Sequence, residues 1–228
     1  MLARHWANMV AEEFASAPNV QGDAHFFAEK AFGLSSRWPA AVDAYIAERE
    51  RATNPLRWYE RIGIGNGAFA TVLAFHLWVE TEYRHDTEAS HSCGAAPESC
   101  IIGRWTCAAL GDTCLFRVRN GDLDVSFPVA HSVDFDRSPA LLGSLDTRRQ
   151  AVADNVQLIE GTVAQGDDFF VCTDALACWF LARTEQGEAP WETLRDLDDV
   201  RFAEWINEAR EAREMRNDDV TLVHIDVW

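Results

Sequence analysis

Apolar residues recur at helical spacing at the start of the chain, at Ala3, Trp6, Val10 and Phe14. This spacing predicts an amphipathic helix over residues 2–15, which ends before Pro18. The same periodicity predicts a second helix from Trp38 to about Arg51, with Pro39 in its first turn, where proline is well tolerated. The chain is therefore expected to open with two helices before any strand.

Short apolar runs in the middle and at the end of the chain predict strands. They cover residues 68–79, 102–110, 114–119, 123–127, 156–163, 169–172 and 220–227. Asn120-Gly121 between two of these runs is a strong hairpin signal. The turn 164–168 predicts another hairpin, in which the runs on either side of it pair. The glycine cluster 63–67 matches neither a dinucleotide-binding nor a P-loop pattern, so we interpret it as a tight turn into the first strand.

Helical spacing returns in the last third of the chain, over residues 174–181, 192–195 and 200–214. Residues 131–150 are interpreted as a polar loop with a short helical turn. Helices, then mostly antiparallel strands, then helices and a final strand are typical of an α+β layered fold. No linker-like composition divides the chain, so we expect residues 1–228 to form a single domain.

The net charge of −17 at pH 7 narrows the range of partners. Such a charge would repel a nucleic-acid backbone across most of the surface, so nucleic acid is not expected as a partner. No apolar run approaches the roughly 20 residues of a membrane span, and no secretory leader is visible, so a membrane is not expected either. Four cysteines lie in apolar runs and are interpreted as small buried thiols: Cys107, Cys114, Cys172 and Cys178. A cytoplasmic location is expected.

The polar stretch of residues 81–100 contains side chains that could bind zinc. These are His85, His91, Cys93 and Cys100. Their spacing matches no familiar zinc site, and no second cysteine pair lies nearby. We therefore favour a surface loop over a zinc site.

Asp174 follows one apolar run and precedes a helical one. A carboxylate at such a junction commonly caps the helix, because it accepts the free N–H groups of the first turn. Asp218 and Asp219, however, open the last predicted strand, and two carboxylates at strand ends could share one hard divalent cation. A helix cap and a cation ligand are both compatible with these residues.

Four short motifs follow one another along the chain. They are residues 65–71 (Gly-Asn-Gly-Ala-Phe-Ala-Thr), 108–113 (Ala-Ala-Leu-Gly-Asp-Thr), 172–175 (Cys-Thr-Asp-Ala) and 217–221 (Asn-Asp-Asp-Val-Thr). In this order they resemble the metal-dependent serine/threonine protein phosphatases of type 2C, the PPM family. The runs 127–144 and 173–181 resemble a bacterial branch of that family. The resemblance covers essentially the whole chain.

The resemblance implies an αββα sandwich, in which two mostly antiparallel sheets are covered by helices. It also implies hydrolysis of phosphoserine and phosphothreonine in proteins by a water that two Mg²⁺ or Mn²⁺ ions activate. By motif position, Asp174 and Asp218 would be ligands of the same ion, and Asp112 would help to hold an additional, weaker ion. Ala175 and Asp219 depart from the family motifs, where glycine and asparagine are usual.

The resemblance further implies that the fold is N-terminally incomplete, because the family's first strands carry an Asp-Gly pair whose aspartate bridges both metals. We therefore expect at most weak binding of Mg²⁺ or Mn²⁺, and an exposed sheet edge that would allow self-association. Two functions stay open: a phosphatase with phosphoprotein substrates, and a catalytically inactive relative that binds phosphoproteins as an interaction module. A third interpretation is a globular protein whose motifs match by coincidence. Either of the first two predicts that Asp112, Asp174 and Asp218 converge.

Overall fold

Helices dominate the first third of the chain and strands its middle. The structure is a computed structural model that describes residues 2–16, 24–79, 101–135, 139–145 and 149–228. The helices are α1 (Leu2–Ala15), α2 (Ala24–Arg51), α3 (Trp58–Asn66), α4 (Arg149–Asn155), α5 (Asp174–Glu185), α6 (Pro190–Arg195) and α7 (Asp199–Glu211). The strands are β1 (Phe69–Ala70), β2 (Val72–Val79), β3 (Ile101–Leu110), β4 (Cys114–Arg119), β5 (Asp122–Phe127), β6 (Leu142–Gly143), β7 (Gln157–Ala164), β8 (Asp168–Cys172) and β9 (Leu222–Asp226).

The strands form sheets in the orders β1-β6, β2-β3-β7 and β5-β4-β8-β9. The pairs β1–β6, β4–β5, β4–β8 and β8–β9 are antiparallel. This mixture of helices and antiparallel sheets confirms the predicted α+β class. The short β1–β6 ladder adds a sheet to the two that were expected. Self-association through a sheet edge stays a prediction.

The chain divides into two compact units that alternate along the sequence. Unit 1 contains residues 1–76, 107–111 and 138–158, and unit 2 contains residues 77–106, 112–137 and 159–228. Each unit has its own cluster of buried apolar side chains.

Unit 1 is built on the packing of α1 against α2. Trp6 and Trp38 meet edge to face, with ring centroids 5.4 Å apart, and both are almost fully buried. The Trp6 indole Nε1–H donates a 3.0 Å hydrogen bond to the Leu142 carbonyl, so this buried polar group is satisfied. The predicted helix over residues 2–15 is confirmed as α1.

Helix α2 begins much earlier than the sequence pattern predicted, at Ala24 rather than Trp38, and Pro39 lies in its interior. Gly33, Ser35 and Ser36 are weak helix formers, which hid the first half of the helix. Burial of apolar side chains on one face overrides that weak propensity. The prediction that Pro39 occupies the first turn is therefore wrong.

The glycine cluster 63–67 is helical over most of its length, so its interpretation as a tight turn is wrong. It forms the end of α3, which stops at Gly67, where φ is +77°. The Glu60 carboxylate accepts the Arg57 backbone N–H at 2.8 Å and pairs with Arg49 at 3.0 Å. These contacts fix the first turn and offset the low helix propensity of the glycines.

Unit 2 is organised around β4 and β8, two adjacent central strands with little solvent exposure. On one face of this strand pair, Phe116 stacks on Phe180 of α5, with ring centroids 4.3 Å apart and nearly parallel planes. On the other face, Phe169 meets Trp105 of β3 edge to face at 5.9 Å. Both faces of β4 and β8 are thus covered, which explains why most of their side chains are apolar.

One backbone carbonyl joins β7 to its neighbours within unit 2. The Thr162 carbonyl accepts hydrogen bonds from Trp105 Nε1 at 3.1 Å, Arg117 Nη1 at 2.8 Å and Arg119 Nη2 at 3.0 Å. Arg117 is also held by Asp124, and Arg119 by Asp167, each through two hydrogen bonds to the carboxylate. Each of the two arginines of β4 thus bonds to a neutral carbonyl of β7 and to a charged carboxylate, so together they link β7 to β4.

The hairpin predicted at residues 164–168 is wrong. β7 pairs in the sheet that contains β3, whereas β8 pairs with β4 and β9, so the turn carries the chain from one sheet to another. The cause is the buried Asp167, whose carboxylate accepts the Ala164 N–H at 2.8 Å and both Arg119 hydrogen bonds.

The Asn120-Gly121 hairpin is confirmed, with φ of +55° and +85° at the two positions.

The region 131–150 contains more regular structure than the predicted polar loop, since β6 and the start of α4 lie within it. Cys107, Cys114 and Cys172 are buried as predicted, whereas Cys178 is half-buried. The predicted surface loop and the zinc alternative at residues 81–100 lie outside the described residues. Among the helices that the structure describes, none is long and apolar enough to span a membrane.

The buried pair of Arg119 and Asp167 should contribute strongly to the stability of unit 2. We predict that Arg119→Met lowers the free energy of unfolding by about 3 kcal/mol, because it leaves the fully buried Asp167 carboxylate without its cation. Arg183→Met is the control, since Arg183 pairs with half-exposed glutamates and its loss should cost less than about 1 kcal/mol. Urea unfolding of the two variants measures the difference, and equal losses would contradict this role of Asp167.

Candidate functional site

Asp174 lies where β8 ends and α5 begins. Thr173 is the N-cap residue of α5 and Asp174 is its first helical residue, so the interpretation of Asp174 as the cap is wrong. Its position in the first turn places a negative charge near the positive end of the helix dipole. The side chain is half-buried at the end of a strand that is otherwise covered on both faces.

Thr173 joins the end of β8 to the segment that leads into β9. Its backbone N–H donates to the Thr221 carbonyl at 3.2 Å, and its Oγ1 accepts the Thr221 N–H at 2.9 Å. The Thr173 hydroxyl also donates to the Asp219 carbonyl at 3.2 Å. These three bonds fix Asp174 relative to the segment that carries Asp218.

Asp218 lies in a tight turn before β9. Its N–H donates to the Arg216 carbonyl at 3.1 Å, and its Oδ1 accepts the Asp219 N–H at 2.8 Å. The Asp218 carbonyl accepts a hydrogen bond from Arg210 Nη2 of α7. The backbone of Asp218 is thus held from two sides, while its side chain is exposed.

Asp112 follows Gly111 at the corner between β3 and β4. Gly111 has φ of +113°, and a Cβ atom there would lie 2.6 Å from Thr71 Cγ2, so this corner requires glycine. Burial raises the pKa of Asp112, and the negative charge of Asp174 raises it further; a hydrogen bond to its own backbone and the charge of Arg216 lower it, and Asp218 adds a smaller increase. Asp174 and Asp218 are therefore both within electrostatic reach of Asp112.

Three cysteines lie within four residues of Asp112 or Asp174 along the chain: Cys114, Cys172 and Cys178. Burial raises the pKa of Cys114 to about 12, and the charges of Asp112 and Asp174 add to the shift. Burial also raises the pKa of the fully enclosed Cys172 thiol and, to a lesser extent, that of Cys178. The Cys114 thiol donates to the Asp112 carbonyl at 3.4 Å. These thiols are protonated at neutral pH and are poor nucleophiles.

The donor chemistry of the three aspartates fits a hard divalent cation, because such ions prefer carboxylate oxygens. Their gathering is partial. Within the described ranges, no group of three or more histidine, cysteine, aspartate or glutamate side chains is arranged to hold a metal ion. That Asp174 and Asp218 share one ion stays a prediction.

Sequence reasoning selected the three aspartates but missed the residues that position them. Thr173 carried a signal, since threonine is a common N-cap. Arg210 carried none, because its importance depends on its contact with the Asp218 carbonyl, in a turn that the sequence pattern does not define.

No protein-family model and no curated protein matches the chain. The Mycobacterium tuberculosis serine/threonine phosphatase PstP/Ppp is similar over 54% of this chain and 55% of its own, with a TM-score of 0.37 and 17% identity. The catalytic domain of PstP in complex with 2 manganese ions is similar over 54% and 53%, with a TM-score of 0.35 and 19% identity. The phosphatase domain of the cell fate determinant SpoIIE from Bacillus subtilis is similar over 57% and 56%, with a TM-score of 0.31 and 15% identity.

The chain spans about half the length of each of these solved structures.

The Thr173 hydroxyl should stabilise the connection between β8 and β9. We predict that Thr173→Val lowers the free energy of unfolding by about 1 kcal/mol, because the hydroxyl loses the hydrogen bond that it donates to Asp219 and the one that it accepts from Thr221, whereas Thr173→Ser keeps both. Thr184→Val is the matched control, since the Thr184 hydroxyl bonds only the Phe180 carbonyl one helical turn back. Urea unfolding provides the measurement. Equal effects of Thr173→Val and Thr184→Val would show that the Thr173 hydroxyl has no special role.

Proposed function

We propose that this protein is a metal-dependent phosphatase that hydrolyses phosphoserine and phosphothreonine in proteins. The observation that carries the proposal is that the charges of Asp174 and Asp218 both act on Asp112, while the Thr173 hydrogen bonds hold the start of α5 beside the 219–221 segment. Asp112 comes from the β3–β4 corner, Asp174 from the start of α5, and Asp218 from the turn before β9. The motif resemblance supplies the reaction class.

Asp174 and Asp218 are the proposed ligands of one Mg²⁺ or Mn²⁺ ion, and Asp112 would help to hold an additional one. Two carboxylates leave most of an octahedral shell to water, so the affinity is expected to be weak. Bound in this position, such an ion would lower the pKa of a coordinated water and neutralise charge that develops on the phosphoryl oxygens.

The protein's own contribution is to hold the carboxylates in place before a cation arrives. Thr173 sets the spacing between Asp174 and the 218–221 segment through its hydroxyl and its backbone N–H. Arg210 holds the Asp218 carbonyl. Because burial raises the pKa values of Cys114 and Cys172, neither thiol supplies a nucleophile, which is consistent with attack by water.

The alternative of a catalytically inactive phosphoprotein-binding module is supported by no feature of the part of the chain that the structure describes. Phosphoproteins are the proposed ligands in either case, so binding alone does not separate the two functions. Cation-dependent turnover of a phosphopeptide separates them.

Asp174→Asn tests the proposal directly. Isothermal titration calorimetry should show Mn²⁺ binding by the wild type with Kd on the order of 10⁻⁴–10⁻³ M, and much weaker binding by Asp174→Asn, because one charged ligand is lost. Hydrolysis of phosphoserine and phosphothreonine peptides should depend on Mn²⁺ and fall to background in the same variant. Asp122→Asn, which removes an exposed charge in β5, is the control and should match the wild type.

Two outcomes would contradict the proposal. Equal Mn²⁺ binding by wild type and Asp174→Asn would exclude Asp174 as a ligand. Mn²⁺ binding without any stimulated hydrolysis of either phosphopeptide would support the interaction module instead.

A further inference from the structure

Helix α3 of unit 1 has an exposed apolar face. Trp58, Tyr59 and Ile62 are 74%, 49% and 58% exposed, and no residue of this helix is fully buried. The rings of Trp58 and Tyr59 meet edge to face with centroids 5.8 Å apart, and Ile62 lies one helical turn after Trp58. A helix of nine residues ordinarily needs a packed face to be stable in water, and α3 has none within its own chain.

The charge that α3 presents to solvent is positive. Arg61 is exposed and makes no hydrogen bond and no ion pair with any described residue. Glu60, by contrast, pairs with Arg49 at 3.0 Å, and Arg57 donates to the Tyr59 hydroxyl at 2.9 Å and keeps its charge. Trp, Tyr and Arg are the residue types that carry most binding energy at protein interfaces. The face of α3 therefore has the composition of a surface that binds another protein.

A groove between α1 and α2 lies on the same unit. Its volume is about 670 Å³, and its lining runs from His5 to Ser16 along one side and from Arg37 to Arg51 along the other. At a rise of about 1.5 Å per residue, the first side is about 17 Å long, whereas the nine residues of α3 span about 13 Å. The groove is thus long enough to hold a helix of the size of α3.

Two carboxylates of the groove are available to a cation. Glu12 and Glu48 are exposed, and neither makes an ion pair within the part of the chain that the structure describes. Glu13, which also lines the groove, already pairs with Arg37. The carboxylates of Glu12 and Glu48 therefore complement the charge of Arg61 on α3.

The α2 side of the groove has small side chains in its middle. Ala41 and Ala44 lie there, and they leave space for the large side chains of Trp58 and Ile62 from another molecule. Arg51 lies at the end of the groove, where its Nε donates to the Ala47 carbonyl of its own helix. The middle of the groove thus combines space with the two available carboxylates.

We propose that α3 of one copy binds in the α1–α2 groove of a second copy, reciprocally, in a two-fold dimer. Each copy carries both surfaces on unit 1, as such symmetry requires. The α3 helix does not line the groove of its own chain, because the pair of Arg49 and Glu60 holds it at the end of α2. The net charge of −17 on each copy opposes association in general, so the contact of Arg61 with Glu12 and Glu48 selects this face.

Ile62→Glu tests the apolar part of the contact. Analytical ultracentrifugation of the wild type should show a monomer–dimer equilibrium, and Ile62→Glu should raise its dissociation constant about tenfold or more, because burial of the Ile62 side chain is lost. Circular dichroism should be unchanged, since Ile62 is exposed within its own chain. Val200→Glu, which alters an exposed apolar side chain of α7 in unit 2, is the matched control and should dimerise as the wild type does.

A charge reversal tests which surface receives α3. Arg61→Glu and the double variant Glu12→Arg/Glu48→Arg should each be monomeric, because like charges then face each other in both contacts of the dimer. An equimolar mixture of these two variants should form dimers again, since both contacts of the mixed pair join opposite charges. Pairing through a sheet edge would not produce this rescue.

Three results would overturn the inference. A wild type that stays monomeric at every concentration would exclude the dimer. A dimer that survives both Ile62→Glu and Arg61→Glu would place the contact elsewhere, and the absence of rescue in the mixture would show that the groove does not receive α3. None of these measurements depends on cation binding or hydrolysis, so each outcome leaves the proposed function untouched.

Discussion

The anchoring of β8 at both ends is the constraint on which unit 2 depends. At its start, buried Asp167 accepts two hydrogen bonds from Arg119, and Asp168 accepts hydrogen bonds from Arg195 and His224. At its end, Thr173 binds the 219–221 segment through its backbone and its hydroxyl. Because a carboxylate buried without a cation is costly, these ion pairs hold the start of the covered strand that leads to Asp174.

The segments that carry the three aspartates of the candidate site differ in burial. Asp174 extends from a strand and helix that are buried on most sides, whereas Asp218 lies in an exposed turn held by single hydrogen bonds. Asp112 is fixed by a corner that admits only glycine at position 111. The pKa of Asp112 is raised first by burial and then by the charge of Asp174. A cation bound beside Asp112 would favour its ionised form.

Part of the fold could be predicted from the sequence because the signals were local. The three- and four-residue spacing of α1 and the apolar run of β4 gave the observed boundaries, and Asn120-Gly121 gave the hairpin. The first half of α2 and the whole of α3 were missed because tertiary burial and an ion pair override low helix propensity. The false hairpin at 164–168 has the same origin, since the pairing of Asp167 with Arg119, 48 residues away, directs that turn. Likewise, motif order identified Asp112, Asp174 and Asp218, but the partners of Thr173 lie 46 and 48 residues along the chain.

The central claim is that Asp174 and Asp218 bind the same ion. A double-mutant cycle of Mn²⁺ affinity tests it most directly, with Asp174→Asn, Asp218→Asn and the double variant measured by water-proton relaxation enhancement. If both carboxylates hold one ion, each single substitution removes most of the affinity and the double variant loses little more, so the effects are strongly non-additive. If the two losses simply add, or if Asp218→Asn binds Mn²⁺ as the wild type does, the carboxylates do not share an ion and the account is wrong.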